Sequence, residues 1–122
     1  KKNGQFRSWH SNGQLHVQSN YVDGKIHGNM QVWCEDGKIY KDCNFINGEQ
    51  NGLFRRWFYN GQLELQYVFV DGKKDGECKK WHRNGQLCEH CFYVHGVRQG
   101  EYKWWNENGA LVHAFDYVDG KV

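Results

Sequence analysis

Residues 9–28 read WHSNGQLHVQSNYVDGKIHG, and the tryptophan, the Asn-Gly pair and the Tyr-Val-Asp-Gly-Lys of this stretch recur down the chain. Trp9 with Asn12-Gly13 is followed by Trp33 with Asp36-Gly37, Trp57 with Asn60-Gly61, Trp81 with Asn84-Gly85 and Trp105 with Asn108-Gly109, always 24 residues apart. A fixed period of this length marks a repeat architecture, in which each unit needs neighbours to bury its apolar side chains. Counted from their first glycines, the units begin at Gly4, Gly28, Gly52, Gly76 and Gly100, and residues within a unit take positions 1 to 24. All 15 glycines then fall in three columns, at positions 1, 10 and 21. Position 6 is Trp, position 12 Leu or Ile, position 18 Tyr or Phe, and position 19 Val or Ile in every unit.

Three glycine columns imply three fixed backbone reversals or strand ends per unit, because glycine takes positive φ without steric cost. Seven of the glycines follow Asn and five follow Asp. Those pairs are the preferred centres of two-residue type I′ hairpin turns. Between them lie runs of strand length rich in aromatic and β-branched residues, with no helical periodicity to compete. Each unit therefore reads as one β-hairpin. Five units predict an all-β fold of about ten strands, an elongated single-layer antiparallel meander advancing about 9–10 Å per unit and about 45–50 Å long. With 39% hydrophobic and 16% aromatic residues, large rings must take the place of an ordinary core.

The pattern resembles the MORN repeat family in its longer 24-residue variant, as found in bacterial antitoxin-like and giant-virus proteins. Tyr21-Val22-Asp23-Gly24-Lys25-x-x-Gly28 and Trp57-Phe58-Tyr59-Asn60-Gly61-Gln62-Leu63 carry the resemblance, which spans residues 1–122 as a single repeat domain with an incomplete last unit. It implies a curved antiparallel sheet used for protein contacts, self-association or the binding of acidic membrane lipids. It carries over no catalytic residue. Trp9, Trp33, Trp57, Trp81 and Trp105, with Gly13, Gly37, Gly61, Gly85 and Gly109, are structural repeat positions.

Lys1-Lys2-Asn3 fill positions 22 to 24 of a preceding unit and Val122 stops at position 23, an expectation of a longer array. Open strand edges at such ends would favour self-association. No apolar run approaches the roughly 20 residues of a membrane-spanning helix, and no segment reads as a signal peptide. The expected setting is intracellular: cytoplasmic, or virion-associated for a viral protein. A net charge of +2 gives no case for nucleic acid.

Five cysteines, Cys34, Cys43, Cys78, Cys88 and Cys91, include a Cys-x-x-Cys stretch at Cys88–Cys91 with His82 and His95 nearby. In a regular strand residues three apart point to opposite faces, which argues against one metal taking both sulfurs. The cysteines read as packing residues, with no metal and no cofactor. A two-residue Asn84-Gly85 turn sets position 3 opposite position 16, pairing Phe6 with Ser19, Met30 with Cys43, Phe54 with Tyr67, Cys78 with Cys91 and Tyr102 with Phe115. A Cys78–Cys91 bridge stays open, although the odd count favours free thiols. Position 6 has the opposite parity to position 3, so either both faces carry aromatics or a bulge intervenes. Seven histidines form no ligand ladder and read as surface residues; no serine triad, carboxylate pair or phosphate loop appears.

Arg7, Arg55, Lys79 and Lys103 at position 4, with Arg56 and Lys80 at position 5, suggest a basic stripe beside Trp104. The candidate interaction surface is Arg55, Arg56, Lys79, Lys80, Lys103 and Trp104; a solvated strand face that resists aggregation is the competing reading. Glu35, Asp36 and Asp42 gather in unit two and give the ribbon two electrical ends. The leading expectation is a non-catalytic scaffold that binds a protein partner or another copy, within which an antitoxin-like role falls. The alternative is a peripheral membrane adaptor for anionic lipids. Neither has a small-molecule substrate.

Overall fold

A computed structural model describes residues 2–122, which form one open antiparallel sheet without a helix. Unit one contributes β1 (Gly4–Trp9), β2 (Leu15–Val22) and β3 (Lys25–Ile26), and unit two β4 (Gly28–Trp33), β5 (Ile39–Ile46) and β6 (Glu49–Gln50). Unit three gives β7 (Gly52–Trp57), β8 (Leu63–Val70) and β9 (Lys73–Lys74), and unit four β10 (Gly76–Trp81), β11 (Leu87–Val94) and β12 (Val97–Arg98). Unit five adds β13 (Gly100–Trp105) and β14 (Leu111–Tyr117). The ten long strands run as an uninterrupted meander in chain order, as the repeat predicts. Each two-residue strand pairs back onto the long strand before it. A unit is thus a long hairpin followed by a short, tight one.

The two turns use glycine differently. At positions 20–21 both residues have positive φ: 50° and 82° at Asp23-Gly24, and 51° and 84° at His95-Gly96. These are the expected two-residue type I′ turns, closed by pairs such as Val22↔Lys25. At positions 9–10 only the glycine is left-handed, with Gly85 at φ 88°. There Gly85 N–H donates to the His82 carbonyl at 2.9 Å and His82 N–H to that of Gln86 at 2.9 Å. The loop is therefore Arg83-Asn84-Gly85, a type I turn ending in a left-handed residue, and the expected two-residue turn is corrected to three.

That longer loop shifts the pairing by one residue, and a bulge shifts it back. Trp81 pairs with Leu87 but Lys80 with Glu89, leaving Cys88 as the extra residue, and the same offset recurs in every unit. All five expected pairs are consequently in register, from Phe6↔Ser19 to Tyr102↔Phe115, Cys78↔Cys91 among them. The bulge lies in the strand facing the tryptophan column, beside it in every unit.

Strand alternation separates two unlike faces. Positions 3, 5, 14, 16, 18 and 23 form an aromatic face, where Phe54 meets Tyr67 and Phe69 at ring centroids 6.1 and 6.0 Å apart. Its centre is the position 16 column, in which Ser19, Cys43 and Cys91 are 3%, 1% and 1% exposed. Small side chains there let the flanking rings close over the backbone. Position 23 supplies cations to the rings: Lys2 sits 4.5 Å from the Tyr21 centroid, Lys74 4.1 Å from Tyr67 and Arg98 4.8 Å from Tyr102. Positions 2, 4, 15 and 17 make the opposite, polar face.

Neighbouring units are also stitched together at the turns. The side chain at position 24 accepts the backbone N–H of position 20 in the next unit, through Asn3, His27, Asn51, Asp75 and Gln99 in turn, at 2.8–3.4 Å. On the other rim the amides of Asn12, Asn60 and Asn84 donate to the carbonyls of Glu35, Arg83 and Glu107 one unit on. Asp36 occupies the same position but has no N–H to give.

Candidate functional site

The six cationic and aromatic candidates do not share one surface. Adjacent strand positions point to opposite sides. Arg55, Lys79 and Lys103 therefore lie on the polar face, and Arg56, Lys80 and Trp104 on the aromatic face. On the polar face Arg55 donates to Gln66 Oε1 at 2.9 Å and stands opposite Asp42 in the adjoining strand. Lys79 lies 3.6 Å from Glu77 and Lys103 3.3 Å from Glu101, so each lysine has an acid two residues before it. His90 bonds Glu77 at 2.8 Å and holds its carboxyl below the usual range. This row is cationic but locally balanced.

On the aromatic face the charges hold the sheet. Arg56 makes two bonds to Glu64, at 2.9 and 3.2 Å. Burial disfavours the Lys80 charge, but Glu89 at 3.8 Å and Tyr67 outweigh it, so the ammonium titrates above its usual range. Trp104 tilts against His113 with ring centroids 5.8 Å apart, and its side chain reaches the Cys88 sulfur. The bulge at Cys88 breaks the alternation that would set it opposite Cys91.

All five cysteines are free thiols. Cys78 and Cys91, 2% and 1% exposed, face each other across β10 and β11 with the buried Glu89 beside them. The Cys91 thiol donates to Glu89 Oε1 at 3.9 Å, and the closeness of the two sulfurs, with burial, pushes Cys78 up from the ordinary thiol range. Neighbour pairing was readable from the repeat, whereas the third group, Glu89, was not, because its column also holds Val17, Lys41, Leu65 and His113.

The rims differ as well. Position 19 is an exposed apolar row beside the tight turns, with Val22, Ile46, Val70, Val94 and Val118 between 40% and 65% exposed. On the loop rim a groove of 470 Å³ is lined by Phe58, Trp81, His82, Arg83, Asn84 and Glu107. His82 Nε2 bonds the Trp105 carbonyl at 2.8 Å and His10 does the same to Trp33, so these two histidines tie units together and are not loose surface residues.

A family model described as a MORN repeat variant matches residues 2–23, 50–71, 74–95 and 98–119. The chain belongs to the MORN repeat family. The four matched segments lie in successive strands of the same sheet, and the unmatched unit between the first two keeps the same turns, bulge and register. No match was found among curated proteins. MORN repeats are generally involved in binding proteins or membrane lipids. In this MORN sheet the columns that make the fold are positions 1, 6, 10, 16, 18 and 21. Positions 2, 4, 15 and 17 change from unit to unit. No helix among the described residues is long and apolar enough to cross a membrane.

Proposed function

We propose that this MORN repeat chain is a non-catalytic protein–protein interaction scaffold, presenting a stiff ribbon to a protein partner or to another copy. The observation that carries the reading is the exposed Val/Ile row at position 19, repeated once per unit beside turns that hydrogen bonds hold in place. A row spaced about 9–10 Å apart fits an extended partner that meets each unit in the same way. Self-assembly and an antitoxin-like capping of a partner both fall within this reading. It assigns no substrate: in the loop-rim groove His82 is tied to the Trp105 carbonyl, and no nucleophile with a base beside it lines that groove. It suits a reducing compartment, in which the thiols stay free.

A second reading, a peripheral adaptor for anionic lipids, draws on the Arg55, Lys79 and Lys103 row. Their nearby acids Asp42, Glu77 and Glu101 weaken it, because a vesicle surface would attract each acid–base pair far less than a lone cation.

One pair of variants separates the two. Val22, Ile46, Val70 and Val94 are changed together to Thr, and Arg55, Lys79 and Lys103 together to Ser. Cross-linking on captured protein should map a stoichiometric partner, or a second copy, to the position 19 rim, with the Thr variant losing it. Salt-sensitive binding to phosphatidylserine vesicles that only the Ser variant loses would replace the scaffold reading with the lipid one.

A further inference from the structure

Unit four alone brings two cysteines and a carboxylate together in space. Position 3, elsewhere Phe, Met or Tyr, is Cys78; position 16 is Cys91; position 14 is Glu89. The two sulfurs and a Glu89 carboxylate oxygen lie within 4.8 Å of one another, and all three residues are buried. A packing role alone explains small thiols in a tight column, as at Cys43, but it does not explain a carboxylate placed against them. Tyr102 at 2.8 Å, Lys80 at 3.8 Å and the Cys91 thiol at 3.9 Å hold this buried carboxylate in place and set it against the sulfurs.

We propose that Cys78, Cys91 and Glu89 form a binding site for one thiophilic divalent metal ion of the zinc type. Cysteine thiolates and glutamate oxygens are both ligands of such ions, with Zn–S about 2.3 Å and Zn–O about 2.0–2.2 Å. At those lengths a tetrahedral ion holds its donors roughly 3.6–3.8 Å apart, within about 1 Å of the spacing present. Water completes the fourth position.

The surroundings suit the loaded site. Two thiolates, one carboxylate and a divalent ion sum to a single negative charge, and Lys80, 3.8 Å from Glu89, stands ready to balance it. Arg98 adds a second cation near Cys91, fixed by Tyr93 and Tyr117 at 3.2 and 3.4 Å. Tyr102 donates to the other Glu89 oxygen at 2.8 Å and fixes the carboxylate, as supporting groups do around metal ligands. Binding takes the proton off each sulfur, that of Cys78 and that of Cys91, which faces Glu89 at 3.9 Å, and both protons leave to solvent as the ion replaces them.

The test is an anaerobic titration of the reduced full chain with Co²⁺, followed by displacement with Zn²⁺ and competition against a chromophoric chelator. One equivalent of Co²⁺ should produce thiolate charge-transfer bands of two-sulfur intensity, which Zn²⁺ bleaches. Cys78→Ser and Cys91→Ser should each abolish the bands, and Glu89→Gln should weaken binding by roughly 10- to 100-fold or more. Cys34→Ser and Cys88→Ser should leave both readouts unchanged. Circular dichroism on each variant separates lost ligands from lost fold, and the cobalt spectrum of the unaltered chain stands whatever the variants do. Absence of two-thiolate bands at stoichiometric Co²⁺, their loss in Cys88→Ser, or a Cys78–Cys91 disulfide that forms in the folded chain and resists added reductant, leaving three free thiols, would each overturn the site.

Discussion

At the scale of single residues, the sheet has one conspicuous misfit. Gln50 stands at position 23, where Lys2, Lys74 and Arg98 place cations over rings, and its buried Oε1 finds no hydrogen-bond donor. By the repeat its neighbours are Phe45, Phe54 and Phe69. Gln50→Lys removes the unpaired carbonyl and supplies the missing cation, so it should raise stability by about 0.5–2 kcal/mol in denaturant melts. Tyr102 gives a prediction in pH. Burial, then its bond to Glu89, pushes its phenol up to about 12 from an ordinary 10.0. An acid raised in the fold favours the folded state while the unfolded phenol is still neutral. Its contribution is complete below pH 10 and is lost as pH climbs toward 12. Thermal melts should therefore show a smaller alkaline loss in Tyr102→Phe than in the parent, each referred to its own value at pH 9.

At the scale of the element, the two turns of a unit obey different rules. The tight turn needs positive φ at its first residue, which Asp or Asn supplies in four units and His95 at φ 51° in the fourth. Asn tolerates that conformation better than an imidazole does. The His95 side chain is 82% exposed, so its pairing with Asp75 contributes little that the substitution would remove. His95→Asn should thus stabilise by roughly 0.5–1 kcal/mol, and an unchanged or lower midpoint would refute this account of the turn. The tight turn was readable from Asp-Gly and Asn-Gly alone. The looser one was not, because the same dipeptide also fits the end of a three-residue loop, and its choice depends on a bulge at Cys88 that no residue type announces. The Cys78↔Cys91 register came out right because loop and bulge cancel. The position 24 acceptors were hidden for a related reason: Asn, His, Asn, Asp and Gln share a lone pair but no shape, so the column looks variable. The basic candidates read as one stripe because charge was counted along the chain, while the pleat divides positions 4 and 5 between faces.

At the scale of the whole molecule, each unit touches only its neighbours, so the ribbon should tolerate loss of a whole period and nothing less. Deleting residues 52–75 joins unit two to unit four in register. The product should keep its strand circular dichroism and shorten by about 9–10 Å in solution scattering. Deleting residues 52–71 leaves the columns out of phase and should unfold the segment that follows. Loss of structure in the 24-residue deletion would mean that coupling extends beyond adjacent units. The position 24 bonds run one way only: each side chain reaches forward to the turn of the unit after it. A chain emerging from the ribosome therefore meets every new turn with an acceptor that is already folded, and the ribbon can grow vectorially, hairpin by hairpin, in step with its own synthesis.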